Sequence, residues 1–262
     1  HAGVVGDVLE QEIVPAFTAS EECAVERVAG HSVSLARRIA AGELRPDVYI
    51  SADAEVNRLV FADRAAASWF VTFAGVAMAL IYSPRSRFRD ELDGAAADSV
   101  RWCDIVCRPG FVLKRNDPND DPGGYRAIFV ARLAQAHYEA PGLARAILGD
   151  DENPAQISGG SLASLADGSV DAMLAYETLA GERGLPYVAL PASINLGDPL
   201  LATAYARAAF TTRDGLHFRG RPARLSVTVA RAAANRSAAE RFVERLLSTA
   251  GQAALAHGRY PE

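Results

Sequence analysis

Trp69-Phe70-Val71-Thr72-Phe73-Ala74-Gly75-Val76-Ala77-Met78-Ala79-Leu80-Ile81-Tyr82-Ser83 is the stretch on which the fold turns. It is β-branched, aromatic and apolar, and Pro84 closes it, which predicts a long strand. It is too short for a bilayer, since crossing one takes about 20 apolar residues, and Thr72 and Gly75 interrupt it. A strand of this length is expected to leave one lobe and enter another.

On its N-terminal side, Asp7 to Phe17 carries Val8, Leu9, Ile13 and Val14 at helical spacing, with Pro15 expected to end or kink the helix. Val33 to Ala41 reads as a second helix stopped by Gly42, and Asp47 to Asp53 as a strand and loop leading into the helix Ala54 to Phe61. On the C-terminal side the pattern gives a helix at Trp102 to Cys107, a strand at Phe111-Val112-Leu113, and a helix from Gly124 to Tyr138. It continues with a helix at Ser161 to Asp167, a strand at Val170 to Ala175, a second crossing strand at Pro186 to Pro191, a core strand at Leu225 to Val229 and a helix at Ala238 to Leu247. Strands alternating with helices argue for an α/β fold with mixed, mainly parallel sheets. The two crossings, near 72–78 and 188–196, divide the chain into lobe I (1–74 plus 192–262) and lobe II (75–191). A ligand cleft between the lobes and a two-strand hinge are expected.

The 262 residues carry a net charge of −5, half of them are hydrophobic, and Lys114 is the only lysine. A substantial core is assured, and there is no basic stripe of the kind that nucleic acid demands. His1 in place of an initiator Met reads as a trimmed or processed product, with any export signal out of view. Three cysteines (Cys23, Cys103, Cys107) without a C-x-x-C spacing point to buried thiols rather than zinc or redox chemistry.

The chemistry concentrates in Asn116-Asp117-Pro118-Asn119-Asp120-Asp121-Pro122-Gly123-Gly124-Tyr125-Arg126, where three carboxylates precede a helix that Pro122 can open. Free helix N–H groups attract anions and carboxylates repel them, so a ligand that satisfies both must present anionic oxygens around an electrophilic centre. A calcium loop fails the test, because Pro122 and Ile128 stand where a glycine and a bidentate glutamate belong. Glu177 closes an apolar strand after Tyr176, which places a second carboxylate at a strand end. Used as an acid/base pair, Asp121 and Glu177 would make an enzyme, but aromatic sugar platforms are scarce. There is no Gly-x-Ser-x-Gly elbow, and the five histidines have no catalytic context. Loops at 3–6, 30–32, 51–53 and 122–124 precede helices and are expected to converge on one small anion.

Over nearly its full length the chain resembles the substrate-binding proteins of molybdate/tungstate ABC transporters, in the branch that includes archaeal tungstate binders. Asp117 to Arg126, Tyr176-Glu177, and Gly184-Leu185-Pro186-Tyr187 leading to Leu190-Pro191 and Ile194-Asn195-Leu196 carry the resemblance. Weaker marks are Ala29 to Val33, Pro46 to Asp53 and Tyr82 to Ser86. The resemblance implies a two-lobed type II periplasmic-binding-protein fold and a monomeric, extracytoplasmic binder, periplasmic or anchored at the cell surface. Such a protein delivers molybdate or tungstate to a membrane permease and has no cofactor or catalytic residue. It further implies Asp121 and Glu177 as ligands of the molybdenum or tungsten, with Val4, Ser32, Ser51, Ala52, Gly124 and Tyr176 lining the site. One departure stands out. The family's first loop reads Ala-Gly-Ser-Leu, whereas this chain has Ala2-Gly3-Val4-Val5; the missing hydroxyl costs roughly 1.5–3 kcal/mol if nothing replaces it. That loss leaves room for a different oxyanion, and His31 stands where a small residue is usual.

Overall fold

The computed structural model describes residues 1–21, 23–61, 66–149 and 162–260. Its strands are β1 (Val48–Ser51), β2 (Val71–Gly75), β3 (Met78–Tyr82), β4 (Leu113–Lys114), β5 (Ala172–Tyr176), β6 (Tyr187–Ala189), β7 (Ala209–Thr211), β8 (His217–Arg219) and β9 (Arg224–Val229). The chain forms two compact units: His1–Val76 with Ala223–Glu262, and Ala77–Pro222.

In the first unit β9 lies between β1 and β2 and runs antiparallel to both. Strands β1 and β2 therefore point the same way, as a strand–helix–strand unit requires, but a strand from the distant end of the chain separates them. The N-terminal helical segment runs through Pro15 to Glu21. It does so by widening over Leu9–Ile13 into a π-turn, in which Val14 N donates to Leu9 O. Proline has no N–H to give, and a widened turn absorbs both the missing bond and the ring. Phe17, one turn further on, meets Phe242 of the helix Arg236–Leu247 edge to face, with ring centroids 5.2 Å apart. This pair ties the two ends of the chain into one core.

The second unit holds the sheet β4-β5-β3-β6. Every residue of β3 and β5 is buried, which is why both read as unbroken apolar runs. Ile81, Leu165, Val170, Met173, Ala175 and Ala180 form a core on this sheet. The helix Pro122–His137 is buried along most of its length, from Pro122 through Ala131 without a break. The hairpin β7–β8 packs on it, with Phe218 stacked on Tyr125 at 4.3 Å.

Several expectations are corrected. The Trp69–Ser83 run is two strands, β2 and β3, broken at Val76–Ala77, where the chain passes from one unit to the other. The return passage lies at Pro222–Ala223, not near 188–196. Strand β6 pairs with β3 inside the second unit, and residues 192–222 stay there because Phe218, and Arg213 N on Asn119 Oδ1 (3.0 Å), hold them to the region around the long helix. Parallel pairing is the exception rather than the rule: β4–β5 is the one parallel ladder between named strands, and the other five are antiparallel. Alternation fixes the sense of successive strands but not which strand inserts beside them. The strand expected at 111–113 is Leu113–Lys114, and Ser161 of the expected helix at 161–167 lies outside the described residues.

Candidate functional site

The eight residues singled out from sequence divide four and four between the units, and each group is built locally. In the first unit three loops are tied together by backbone. Gly3 N donates to Gly30 O (3.3 Å), Ala2 N to Ile50 O (2.9 Å), and Ala52 N to Ser32 Oγ (3.0 Å), while Tyr49 Oη donates to Ser32 O (2.6 Å). The Ser32 hydroxyl thus accepts from Ala52 and keeps its own hydrogen as a donor. Ser51 spends its hydroxyl within its own turn, donating to Asp53 O (2.8 Å) and accepting from Asp53 N (3.1 Å). Asp53 in turn caps the helix Ala54–Val60 through Glu55 N (2.9 Å). Val4 sits in the 3-10 turn Gly3–Val5, its carbonyl accepting from Tyr260 Oη. His31 is the N-cap of the helix Ser32–Ala40 and is exposed, with no capping bond from its side chain. Loops 3–6, 30–32 and 51–53 are therefore bonded to one another, while loop 122–124 is part of the other unit.

In the second unit Asp117 builds the acidic turn. Its Oδ1 accepts from Asn119 N (2.9 Å) and Asn119 Nδ2 (2.7 Å), and its carbonyl from Asp120 N (3.2 Å) and Asp121 N (2.9 Å). Asp121 is the N-cap of the helix Pro122–His137, yet its carboxylate makes no capping bond to the helix. It is 7% exposed, and its Oδ2 accepts from Asn116 Nδ2. Gly124 N (3.0 Å) and Tyr125 N (3.3 Å) donate to the Asp121 carbonyl, and Pro122 has no N–H. Of the first-turn amides, Gly123 N is the one that the helix itself does not engage.

Glycine at 124 is a steric necessity: a Cβ there falls 2.5 Å from Asn116 O and 2.6 Å from Pro118 N, both backbone. The neighbouring position joins the two acidic elements. A Cβ at Gly123 meets Asp121 Oδ2 at 2.9 Å and the Tyr176 ring at 3.5 Å, so the carboxylate and the ring flank one glycine. Tyr176 is the N-cap of the helix Glu177–Arg183, and Glu177 is its first residue. Glu177 N donates to Ala77 O (2.9 Å), and Glu177 Oε1 accepts from Tyr187 Oη (2.9 Å). Buried Arg126, one turn into the long helix, donates to Tyr176 Oη (2.7 Å).

Asn116, Gly123, Arg126 and Tyr187 are the residues that sequence reading left without roles. All four lie inside the motifs quoted above, but their hydrogen bonds and contacts reach as far as from Gly123 to Tyr176, and spacing does not encode that. Of the cysteines, Cys103 is buried and its thiol is pushed up to about 11 by desolvation. Cys107 is exposed and Cys23 half-buried, so the expectation of three buried thiols holds for one. Among the described residues no group of three or more His, Cys, Asp or Glu side chains could hold a metal ion. No described helix is long and apolar enough to cross a membrane.

Two α/β units linked by two chain passages, each with polar loops where strands give way to helices, define a ligand-binding protein of the solute-binding class. Residues 1–258 match the family model of bacterial extracellular solute-binding proteins, and the chain belongs to that family. A Haloferax volcanii protein named as an ABC transporter molybdenum-binding protein is 33% identical over 243 residues, covering 93% of this chain and 75% of the relative. The molybdate/tungstate-binding protein of Thermococcus kodakarensis is 28% identical over 207 residues, 70% of this chain and 57% of that protein. Among solved structures, the periplasmic molybdate-binding protein of Azotobacter vinelandii matches with a TM-score of 0.64 at 17% identity, over 100% of this chain and 96% of that one. The sulfate-binding protein of Mycobacterium tuberculosis matches with a TM-score of 0.63 at 16% identity, over 97% and 82%. The fold is the α/β, two-lobed type II solute-binding fold, with mixed sheets.

Proposed function

We propose that this chain is the extracytoplasmic, monomeric binding component of an ABC transporter for molybdate or tungstate, and that it delivers the ion to a membrane permease without a catalytic step. The observation that carries this reading is the Asp121 carboxylate, buried at the start of the long helix with the Tyr176 ring on the other side of Gly123, and not used to cap the helix. A sulfate ion, fully deprotonated and closed by its own oxygens, gains nothing from two carboxylates. Molybdenum(VI) and tungsten(VI) are hard centres that favour oxygen donors and accept additional ones. In this reading the second unit contributes Asp121 and Glu177 as metal ligands, with Gly124 and Tyr176 lining the site. In the first unit Ser32, Ala52 and Val4 carry neutral donors of the kind that oxo groups accept, and Ser51 shapes its loop. Similarity of fold does not choose the ligand, because molybdate and sulfate binders match equally well. The choice rests on the acids.

A thermal-shift panel tests it. At a hundredfold excess over Kd, a ligand that binds only the folded state adds about 2.7 kcal/mol of stability. Molybdate or tungstate is expected to raise the melting temperature clearly, while sulfate and phosphate leave it in place. An equal response to sulfate would move the assignment to a general oxyanion binder, and no response to either metal oxyanion would remove it.

A further inference from the structure

Arg115 and Arg126 are the buried basic side chains among the described residues, each 2% exposed. They bracket the acidic turn, one directly before Asn116 and the other directly after Tyr125. A guanidinium keeps its proton even when buried, so the interior of the second unit carries fixed positive charge at this point. Placing a charge there is costly unless negative charge is close by.

Arg126 is tied to the candidate site by geometry. It lies three residues after Gly123 on the helix Pro122–His137, so the two share a face. The Tyr176 ring meets both. Its Cε2, next to the carbon that bears the hydroxyl, lies 3.5 Å from the Cβ position of Gly123, and Asp121 Oδ2 lies 2.9 Å from the same position. Its Oη accepts from Arg126 Nη1 at 2.7 Å, with the guanidinium carbon 5.7 Å from the ring centroid. The cation therefore holds the ring by its hydroxyl, in the room that a glycine leaves. On the strand side, Tyr176 is paired with Met78 of β3, and its chain continues at once into Glu177. One side chain thus links the helix that starts at Asp121 to the strand end that carries Glu177.

We propose that Arg126 is a positioning residue that determines specificity at the ion site, a role that rests on the molybdate or tungstate reading. Through Tyr176 it fixes the spacing between the two acidic branches. It also brings permanent positive charge to the phenol oxygen, which offsets the excess of negative charge when two carboxylates receive a doubly charged oxyanion. A phenol bonded to a cation is in turn a stronger donor to any oxygen that it meets.

Calorimetry with molybdate and with tungstate tests this on the parent chain, Arg126→Lys, Arg126→Met, Tyr176→Phe and the Arg126→Met/Tyr176→Phe double variant, with urea denaturation of each as the measure of folding. Arg126→Met and Tyr176→Phe are each expected to weaken binding at least roughly tenfold. Arg126→Lys, which retains the charge and a donor, is expected to stay within about fivefold of the parent. Because both losses break one link, the double variant should bind no more than about threefold more weakly than the weaker single variant. A lowered denaturation midpoint with unchanged affinity in Arg126→Met would make the residue purely structural and overturn the proposal. So would additive losses in the double variant, or a loss in Arg126→Lys as large as in Arg126→Met. If Arg126→Met does not fold, unchanged binding by Tyr176→Phe overturns the proposal, and a tenfold loss there beside near-parent binding by Arg126→Lys supports it. A parent chain that binds neither ion removes the underlying reading and this role with it, whereas a parent that binds beside unaffected variants removes this role alone.

Discussion

The loops of the first unit and the acidic turn of the second solve the same local problem, ending a strand and starting a helix, with opposite materials. Around Ser32 and Ala52 the groups are neutral, and the joins are hydrogen bonds from backbone amides to backbone carbonyls or to the Ser32 hydroxyl. Around Asp121 they are charged, and backbone is pressed against backbone at Gly124. Neutral donors suit oxygen atoms that already carry charge, whereas a buried carboxylate suits a centre that lacks electrons. Under the proposed function, this difference would put ligand choice mainly in the residues of the second unit and general oxyanion capture in those of the first.

The sharpest way to break this comparison is to neutralise the acids. Asp121→Asn and Glu177→Gln each remove a charged donor, and each is expected to weaken molybdate or tungstate binding by roughly 10- to 150-fold, the equivalent of about 1.5–3 kcal/mol. Calorimetry on folded variants measures it, and unchanged affinity in both would leave the carboxylates as parts of the turn. Glycine substitutions probe packing next. Gly124→Ala drives a Cβ into the backbone of residues 116–118 and should cost about 1–3 kcal/mol in chemical denaturation. Gly3→Ala, with nothing within 4 Å of its Cβ, should change stability by less than about 0.5 kcal/mol. Similar losses at the two positions would erase the contrast between a tight and an open region. The smallest loss of affinity is expected at Ser32→Ala, which removes one hydroxyl and the acceptor of Ala52 N. Affinity should fall by about 1 kcal/mol, roughly fivefold, for molybdate and tungstate alike. A loss confined to one of the two would reassign part of the selectivity to the first unit.

The sequence made most of this legible where the signal is local. Strand β1, the helix Ser32–Ala40 that stops before Gly42, the Pro122 helix start and the Tyr176–Glu177 strand end all follow from spacing, proline placement and apolar runs. What escaped depends on partners far along the chain. Strand β9 inserts between β1 and β2 from 150 residues away, and the hairpin β7–β8 joins the second unit through Phe218 on Tyr125. At the candidate site, Asp121 and Glu177 stood out because acids at strand ends are chemically odd. Their neighbours Asn116 and Tyr187 looked ordinary, and only three-dimensional placement gives them an acid to hold. Pro15 misled for another reason: a helix can pass a proline when the turn before it widens.

The contact at Gly124 also bears on how such a protein changes over generations. With backbone filling the space where any side chain would go, the acidic turn has little freedom to drift without unfolding the helix it starts. The loops of the first unit are not crowded in this way: a Cβ at Gly3 meets no atom within 4 Å, and His31, in the loop 30–32, stands exposed. Descendants with altered ligand preference should therefore vary at positions 3 and 31 first, keeping the Asp-Pro-Gly-Gly core at 121–124 as the fixed inheritance.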